Sequence, residues 1–339
     1  MGTGPDTAPA TPADPARTTQ GVLLGFGSFG LFSLSDASVK LIAGAIAPMQ
    51  SAFIGALFGC LLLPFMLRKG EGLMAVFRTV SRPLWLVRFV AYPVGVIGSV
   101  TAFTHLSMAE AMVLMFLEPT FVTLLSIVFL KERVGARRWL AIALGFAGVL
   151  IVLRPGFREL SIGHLGAICA ALGGAVSIVV FRALGDREGK ASLVGAGPVG
   201  AIVVCGALSL QGFVWPSAHQ WLLLAGYGLL ATLANVLASR ASTLAAATLV
   251  GATQYSQMIW AIGLDWALFG TRPDAPMLLG AVFILASGLL TVLHERRHAP
   301  HWPPAALGGH RPATALLTKA AAAATRRPSA PDTNLPSKI

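Results

Sequence analysis

Apolar runs long enough to cross a hydrocarbon core about 30 Å thick recur from Gly21 to Leu293, each ended by a short charged or Pro/Gly connection. The pattern predicts ten helices, over 21–43, 47–67, 84–105, 109–130, 137–153, 162–184, 191–210, 219–240, 245–269 and 276–293. A single anchor is excluded, and connections this short leave no room for a separate extramembrane domain. Residues 1–20 carry one basic residue, two acids and no apolar core, so they predict a disordered segment rather than a cleaved leader. Residues 297–339 mix Pro, Ala, Gly and Arg without a sustained apolar face, and predict a disordered basic tail that is solvated or brushes anionic headgroups.

The pattern also repeats. LKERVGARRWLAIALGFAGVLIVLRPG at 130–156 matches LFGTRPDAPMLLGAVFILASGLLTVLHER at 268–296, with Arg133 opposite Arg272 and Gly148 opposite Gly288. Two halves of five helices each, 21–156 and 157–296, follow from this repeat offset of 139 to 140 residues. Because five is odd, the second half enters the membrane in the opposite sense to the first, the inverted repeat of many secondary transporters, whose site lies near the midplane between the halves. The predicted fold class is therefore an all-α membrane protein of ten transmembrane helices in two inverted five-helix repeats.

Composition agrees on the solvent. Of 339 residues, 55% are hydrophobic and only 12% charged, and the mean hydropathy is +0.74, so there are too few charges to clothe a water-soluble surface. The net charge of +11 would suggest nucleic acid in a soluble protein, but its location excludes that partner. With residue 1 inside, Arg68, Lys69, Arg78, Arg82, Lys131, Arg133, Arg137, Arg138, Arg182, Arg187, Lys190 and Arg240 fall in inside loops, and only Arg154, Arg158 and Arg272 outside. That bias, with the cluster HERRH at 294–298, predicts cytoplasmic N- and C-termini in the inner membrane. Cys60, Cys169 and Cys205 lie in apolar runs without metal-site spacing and read as packing residues.

Three stretches carry a resemblance: GVLLGFGSFGLFSLSDASVKLIA, THLSMAEAMVLMFLEPTFVTLLSIVFLKERVGARRWLAIALGFAGVLIVLRPG and QYSQMIWAIGLDWALFGTRPD. Over about 21–296 the chain resembles the EamA family of the drug/metabolite transporter superfamily. The resemblance implies ten helices in two EamA repeats, an inner-membrane location and alternating-access movement of a small metabolite. DASVK and QYSQMIWA are closest to members described as metabolite or S-adenosylmethionine carriers, with riboflavin carriers nearby. Two departures bear on substrate: no basic residue lies between Lys40 and Arg68, where such relatives often carry an arginine early in the second helix, and Glu118 stands where they usually have a small or apolar residue.

Ionisable groups within membrane helices cost about 2.5–3.5 kcal/mol near the centre, so they need a partner or a water-filled path. Asp36 and Lys40, four apart on the first helix, share a face within pairing reach: either they neutralise each other, or substrate or a proton splits them. Glu118 lies mid-helix, before Pro119, which frees a carbonyl and kinks the helix; it suits a cationic group or a carried proton. Its counterpart at the repeat offset is Gln257. Gln254, Tyr255, Gln257 and Trp260 put polar and aromatic groups at helical spacing on the ninth helix, a mix that lines small-molecule pockets as well as cores. Thr101, Thr104 and His105 suggest a vestibule or an interfacial rim. Arg88 and Arg182 read as snorkelling to headgroups and Asp265 as meeting interfacial water.

Gly25, Gly27 and Gly30 spell GxGxxG inside an apolar helix without a strand before them, so they read as helix-contact glycines, as do Gly21/Gly25 and Gly55/Gly59, within one chain or in a homodimer. No nucleotide, metal or cofactor motif is present. The reading is a carrier for a small polar or amphipathic metabolite, driven by protons or exchange, with export favoured and uptake of an S-adenosylmethionine- or riboflavin-like compound as the alternative. A membrane enzyme would need clustered acids or histidines, and a scaffold has little reason to keep intramembrane charges.

Overall fold

The computed structural model describes residues 15–61, 73–131, 135–154, 159–184, 190–245 and 247–298. Of the segments predicted to be disordered, 1–14 and the tail from 299 onward lie outside these residues, whereas 15–20 and 297–298 are helical. Among the described residues all regular structure is helical. The helices are α1 (Pro15–Lys40), α2 (Pro48–Cys60), α3 (Arg82–His105), α4 (Met108–Met115), α5 (Glu118–Phe129), α6 (Ala136–Leu153) and α7 (Ile162–Leu184), followed by α8 (Lys190–Gly200), α9 (Gly206–Ser209), α10 (Ala218–Leu244), α11 (Ala247–Thr253), α12 (Ser256–Phe269) and α13 (Ala275–His298).

Among the described residues, six helical runs are long and apolar enough to cross a membrane: Ala16–Lys40, Arg82–His105, Met108–Phe129, Ile162–Leu184, Gly195–Gly212 and Ala218–Leu244. Trp139–Leu153 and Ala275–Leu290 are shorter apolar helices. The difference from the predicted ten has visible causes. The second predicted helix passes out of the described residues at 62, and the ninth is split into α11 and α12 at Gln254–Tyr255.

Two other runs are also interrupted. α4 gives way to α5 at Phe116–Leu117, because Pro119 has no N–H to close the turn. Pro198 sits inside α8, and the chain widens into a π-helical turn over Ala201–Cys205 before α9.

Two antiparallel helix pairs set the frame. Along α1 and α10, the Ser28 hydroxyl donates to Ala234 O at 2.8 Å and the Ser35 hydroxyl to Tyr227 O at 2.7 Å. Along α6 and α13, the Ser287 hydroxyl donates to Ala141 O at 2.6 Å, and Arg154 pairs with Asp274 at the helix ends. Gly148 lies so close to α13 that a Cβ there would stand 2.8 Å from Gly280 O.

Ala141 and Gly280, like Gly148 and Ser287, are 139 positions apart. The contacts 141–287 and 148–280 are therefore the same contact seen from each half, the reciprocity that a local two-fold imposes. Phe116 and Tyr255, also 139 apart, touch each other with ring centroids 5.8 Å apart and so lie beside that axis.

Among the best-buried apolar side chains, Phe103, Met108, Val113, Leu114 and Leu117 come from α3, α4 and the turn before α5, and share a core with Ala167 of α7 and Ala261 of α12. Large apolar side chains such as Leu222, Ile259, Trp266 and Val282 point outward and are mostly exposed. Apolar cover on this extent of surface is a lipid-facing exterior, since water-facing patches of soluble proteins are far smaller.

Candidate functional site

A cavity of about 360 Å³ opens between α2, α3, α10 and the interrupted stretch around Pro198 and Ala201. Its polar lining is Arg88, Tyr92, Tyr227, Thr232, Asn235 and Ser239. Helical spacing puts Arg88, Tyr92 and Val96 on one face of α3, and the positions 139 further on, Tyr227, Ala231 and Asn235, form the matching face of α10. All six line the cavity, so it straddles the relation between the halves. Gly55 makes room for the Tyr227 ring, which would otherwise meet a Cβ on α2.

Exposure along α10 rises from partly buried Tyr227 to exposed Asn235 and Ser239, which places the mouth at the Ser239 end. In the α1–α10 register, that end lies beside the start of α1, and Lys40 lies at the far end, about 25 Å away at 1.5 Å per residue.

A buried polar cluster lies at that far end of α1. Lys40 Nζ donates to Asp265 Oδ1 at 3.2 Å and to Leu106 O at 2.8 Å, and sits over the Phe269 ring. Asp265 Oδ2 accepts the Ala109 N–H at 2.8 Å. One ion pair thus satisfies the last carbonyl after α3 and a first-turn amide of α4, groups a helix end leaves open. Nearby, His164 Nδ1 accepts from Ser161 N at 2.9 Å, so Nε2 carries the ring hydrogen and donates to Glu110 Oε1 at 3.2 Å. Both side chains are buried.

The predicted site residues fall around this frame and not on the cavity wall. Asp36 and Lys40 do not pair with each other: Asp36 accepts from Gln257 Nε2 at 3.3 Å, and Lys40 turns to Asp265. Glu118, partly exposed at the start of α5, packs against α7 where Gly174 leaves space, and makes no hydrogen bond or ion pair among the described residues. Tyr255 stacks near Phe116 and fits its hydroxyl against Gly288. Gln254 stands at the break before α12, partly buried. Trp260 lies over Gly30 with nearly half of its surface outward, on the lipid side. Of these seven, none lines the cavity.

Two readings need correction. Asp265 is 2% exposed and holds Lys40, so it does not meet interfacial water. Arg88 is 6% exposed and does not reach for headgroups. Its guanidinium lies 3.9 Å from the Phe181 ring centroid of α7, and its Nε and Nη1 find no acceptor among the described residues. Proximity to the start of α3 suggested snorkelling; the shared face with Tyr92 was the signal that it points inward. The Glu110–His164 pair was missed because 54 positions separate its members.

A model described as the EamA-like transporter family matches residues 19–154 and again 161–293. The chain is 28% identical over 269 residues, 79% of its length and 94% of the relative's, to the pseudopaline exporter CntI of Pseudomonas aeruginosa. It is 29% identical over 236 residues, 69% of its length and 77% of the relative's, to the riboflavin transporter of Rhizobium johnstonii. To the S-adenosylmethionine uptake transporter of Rickettsia felis it is 24% identical over 78% of its length and 90% of the relative's. A solved crystal structure shares the fold with a TM-score of 0.55 at 19% identity, over 83% of this chain and 99% of that one. With two matches that together span most of the chain, an all-helical bundle and a lipid-facing exterior, this protein belongs to the EamA-like transporter family and is a membrane transporter, not an enzyme.

Proposed function

We propose that the chain is a secondary carrier that moves a small polar or amphipathic metabolite across the inner membrane by alternating access. Ten membrane-crossing segments in two inverted halves, 21–156 and 157–296, would place both termini in the cytoplasm. The observation that carries the reading is the cavity between α2, α3 and α10, with its mouth by Ser239, and the buried Lys40–Asp265 pair at the opposite end of the α1–α10 frame. With α1 starting on the cytoplasmic side, that mouth faces the cytoplasm, where cargo for export loads. The relatives supply a small-molecule substrate class in general, and include both an exporter and uptake carriers. Coupling would come from protons or from exchange; Asp36, with its partner Gln257, and Glu118 lie off the cavity wall and would serve a proton rather than the cargo, because intramembrane carboxyl groups mark paths for protons or cations.

Purified protein in sealed proteoliposomes tests the class. A carrier gives saturable flux and counterflow of at least one metabolite from a polar and amphipathic panel. Permeability indistinguishable from empty vesicles across that panel would leave a scaffold instead. Membrane-impermeant thiol reagents test the facing: a cysteine at Ser239, in a background lacking Cys60, Cys169 and Cys205, is labelled from the cytoplasmic side.

A further inference from the structure

We infer that Arg88 is the anchor for a carboxylate, and that the cavity takes small organic acids with a hydrocarbon or aryl body. The inference rests on the reading of that cavity as the substrate path. Arg88 is the one charged side chain among the described residues lining it. Removing a guanidinium from water without an acceptor is costly, and fixed buried charges are normally paired. Here the side chain is 94% buried by its 6% exposure, held against the Phe181 ring, with Nε and Nη1 unpaired among the described residues.

Phe181 covers one face of the guanidinium; a bidentate oxygen pair would take Nη2 together with either Nε or Nη1, because Nε and Nη1 lie on different edges of the fork. Beyond the fork, Ala52, Ala56, Val96 and Ala201 present hydrocarbon to the body of a ligand. Thr232, Asn235 and Ser239 offer neutral donors and acceptors toward the mouth. A single cation among the described residues that line the chamber balances one negative charge. It therefore suits a monocarboxylate better than a phosphate dianion, and it disfavours a cationic cargo.

An anion can reach the same fork from the bilayer, as a lipid phosphate entering by the mouth, so the test separates the two sources. Full-length protein is prepared in a maltoside detergent free of phospholipid. Binding is read as a shift of the melting curve with matched pairs of carboxylates and their carboxamides, carrying alkyl, aryl and amino-acid bodies. The expected result is at least one carboxylate favoured over its amide by about tenfold or more, a charge-assisted bidentate contact being about twice as strong as a neutral one. That preference is lost in Arg88→Gln and reduced in Arg88→Lys, which keeps the charge without the fork. Unliganded Arg88→Met melts higher than the parent, because it removes a buried charge with no partner.

Equal binding of acids and amides, no binding by any pair, or a preference that survives Arg88→Gln overturns the inference. If phospholipid added back raises the parent's melting temperature while no carboxylate does, the anion is a lipid headgroup and the carboxylate proposal fails. Proteoliposome counterflow keeps the two readings apart: amides carried as well as acids by both parent and Arg88→Gln would leave a carrier standing and remove Arg88 as its anchor.

Discussion

Lys40 and Asp36 stand one turn apart on α1, and each takes its partner from α12, Lys40 from Asp265 and Asp36 from Gln257. A pair within one helix contributes only about 0.2–0.5 kcal/mol, whereas Lys40–Asp265 also satisfies Leu106 O and Ala109 N. Breaking one partner of a buried pair costs about 3–5 kcal/mol. Asp265→Asn is therefore expected to lower the melting temperature clearly, and Lys40→Met combined with Asp265→Leu to recover only part of it, because Leu106 O and Ala109 N stay unpaired, as read by thermal unfolding in detergent. Glu118, without a partner among the described residues, is the natural place to look for proton coupling: Glu118→Gln should fold and insert yet lose the pH dependence of flux between about pH 5 and 8. Normal pH-dependent transport by that variant would remove the role. Residue types gave away which groups were unusual, but their partners were not legible. Asp265 and Lys40 are 225 positions apart, and no local spacing indicates that α12 rather than α1 itself supplies the counter-charge.

The helices touch most closely where side chains vanish. A Cβ on Gly98 of α3 would stand 2.5 Å from Gly166 O and 3.0 Å from Ala170 N of α7. Gly98→Ala must push two backbones apart, at about 1–3 kcal/mol. Gly263 of α12 has nothing within 4 Å of its would-be Cβ, so Gly263→Ala is expected to be neutral or stabilising by up to about 1 kcal/mol through helix propensity. Chemical unfolding of the two variants side by side checks the contrast. The apolar runs announced where helices lie, and Pro119 announced the break before α5. The break at Gln254–Tyr255 has no proline or glycine at its two residues to mark it; it stands opposite the α4–α5 break in the other half and becomes visible only once the Phe116–Tyr255 contact is seen. The GxxxG glycines of α1 and α2 are occupied inside the chain, Gly21 by Ala245, Gly25 by Thr253, Gly55 by Tyr227 and Gly59 by Thr232.

Across the bundle, the reciprocal contacts of α6 and α13 join the halves, while the cavity separates α3 from α10 around matching faces. An offset of 139 to 140 was readable from the chain, and the contacts of α6 and α13 set it at 139, with Gly148 opposite Ser287 rather than Gly288. What it did not disclose is that matching faces of α3 and α10 line the cavity, with Arg88 the one charge among the described lining residues. If alternating access operates, a cysteine at Ala109, 2% exposed behind Asp265, should resist impermeant thiol reagents in the parent. It should react readily from the outer side when Asp265→Asn is added, and no change in labelling would show that this end does not open there. The Asp265 cluster has a kinetic implication as well. Parting Lys40 from Asp265 also uncovers a main-chain carbonyl and a main-chain amide, so the intermediate with only some of those bonds lost is the least favourable one. Release at that end would then behave as an all-or-none latch, tripped when water enters to take over all of the bonds together.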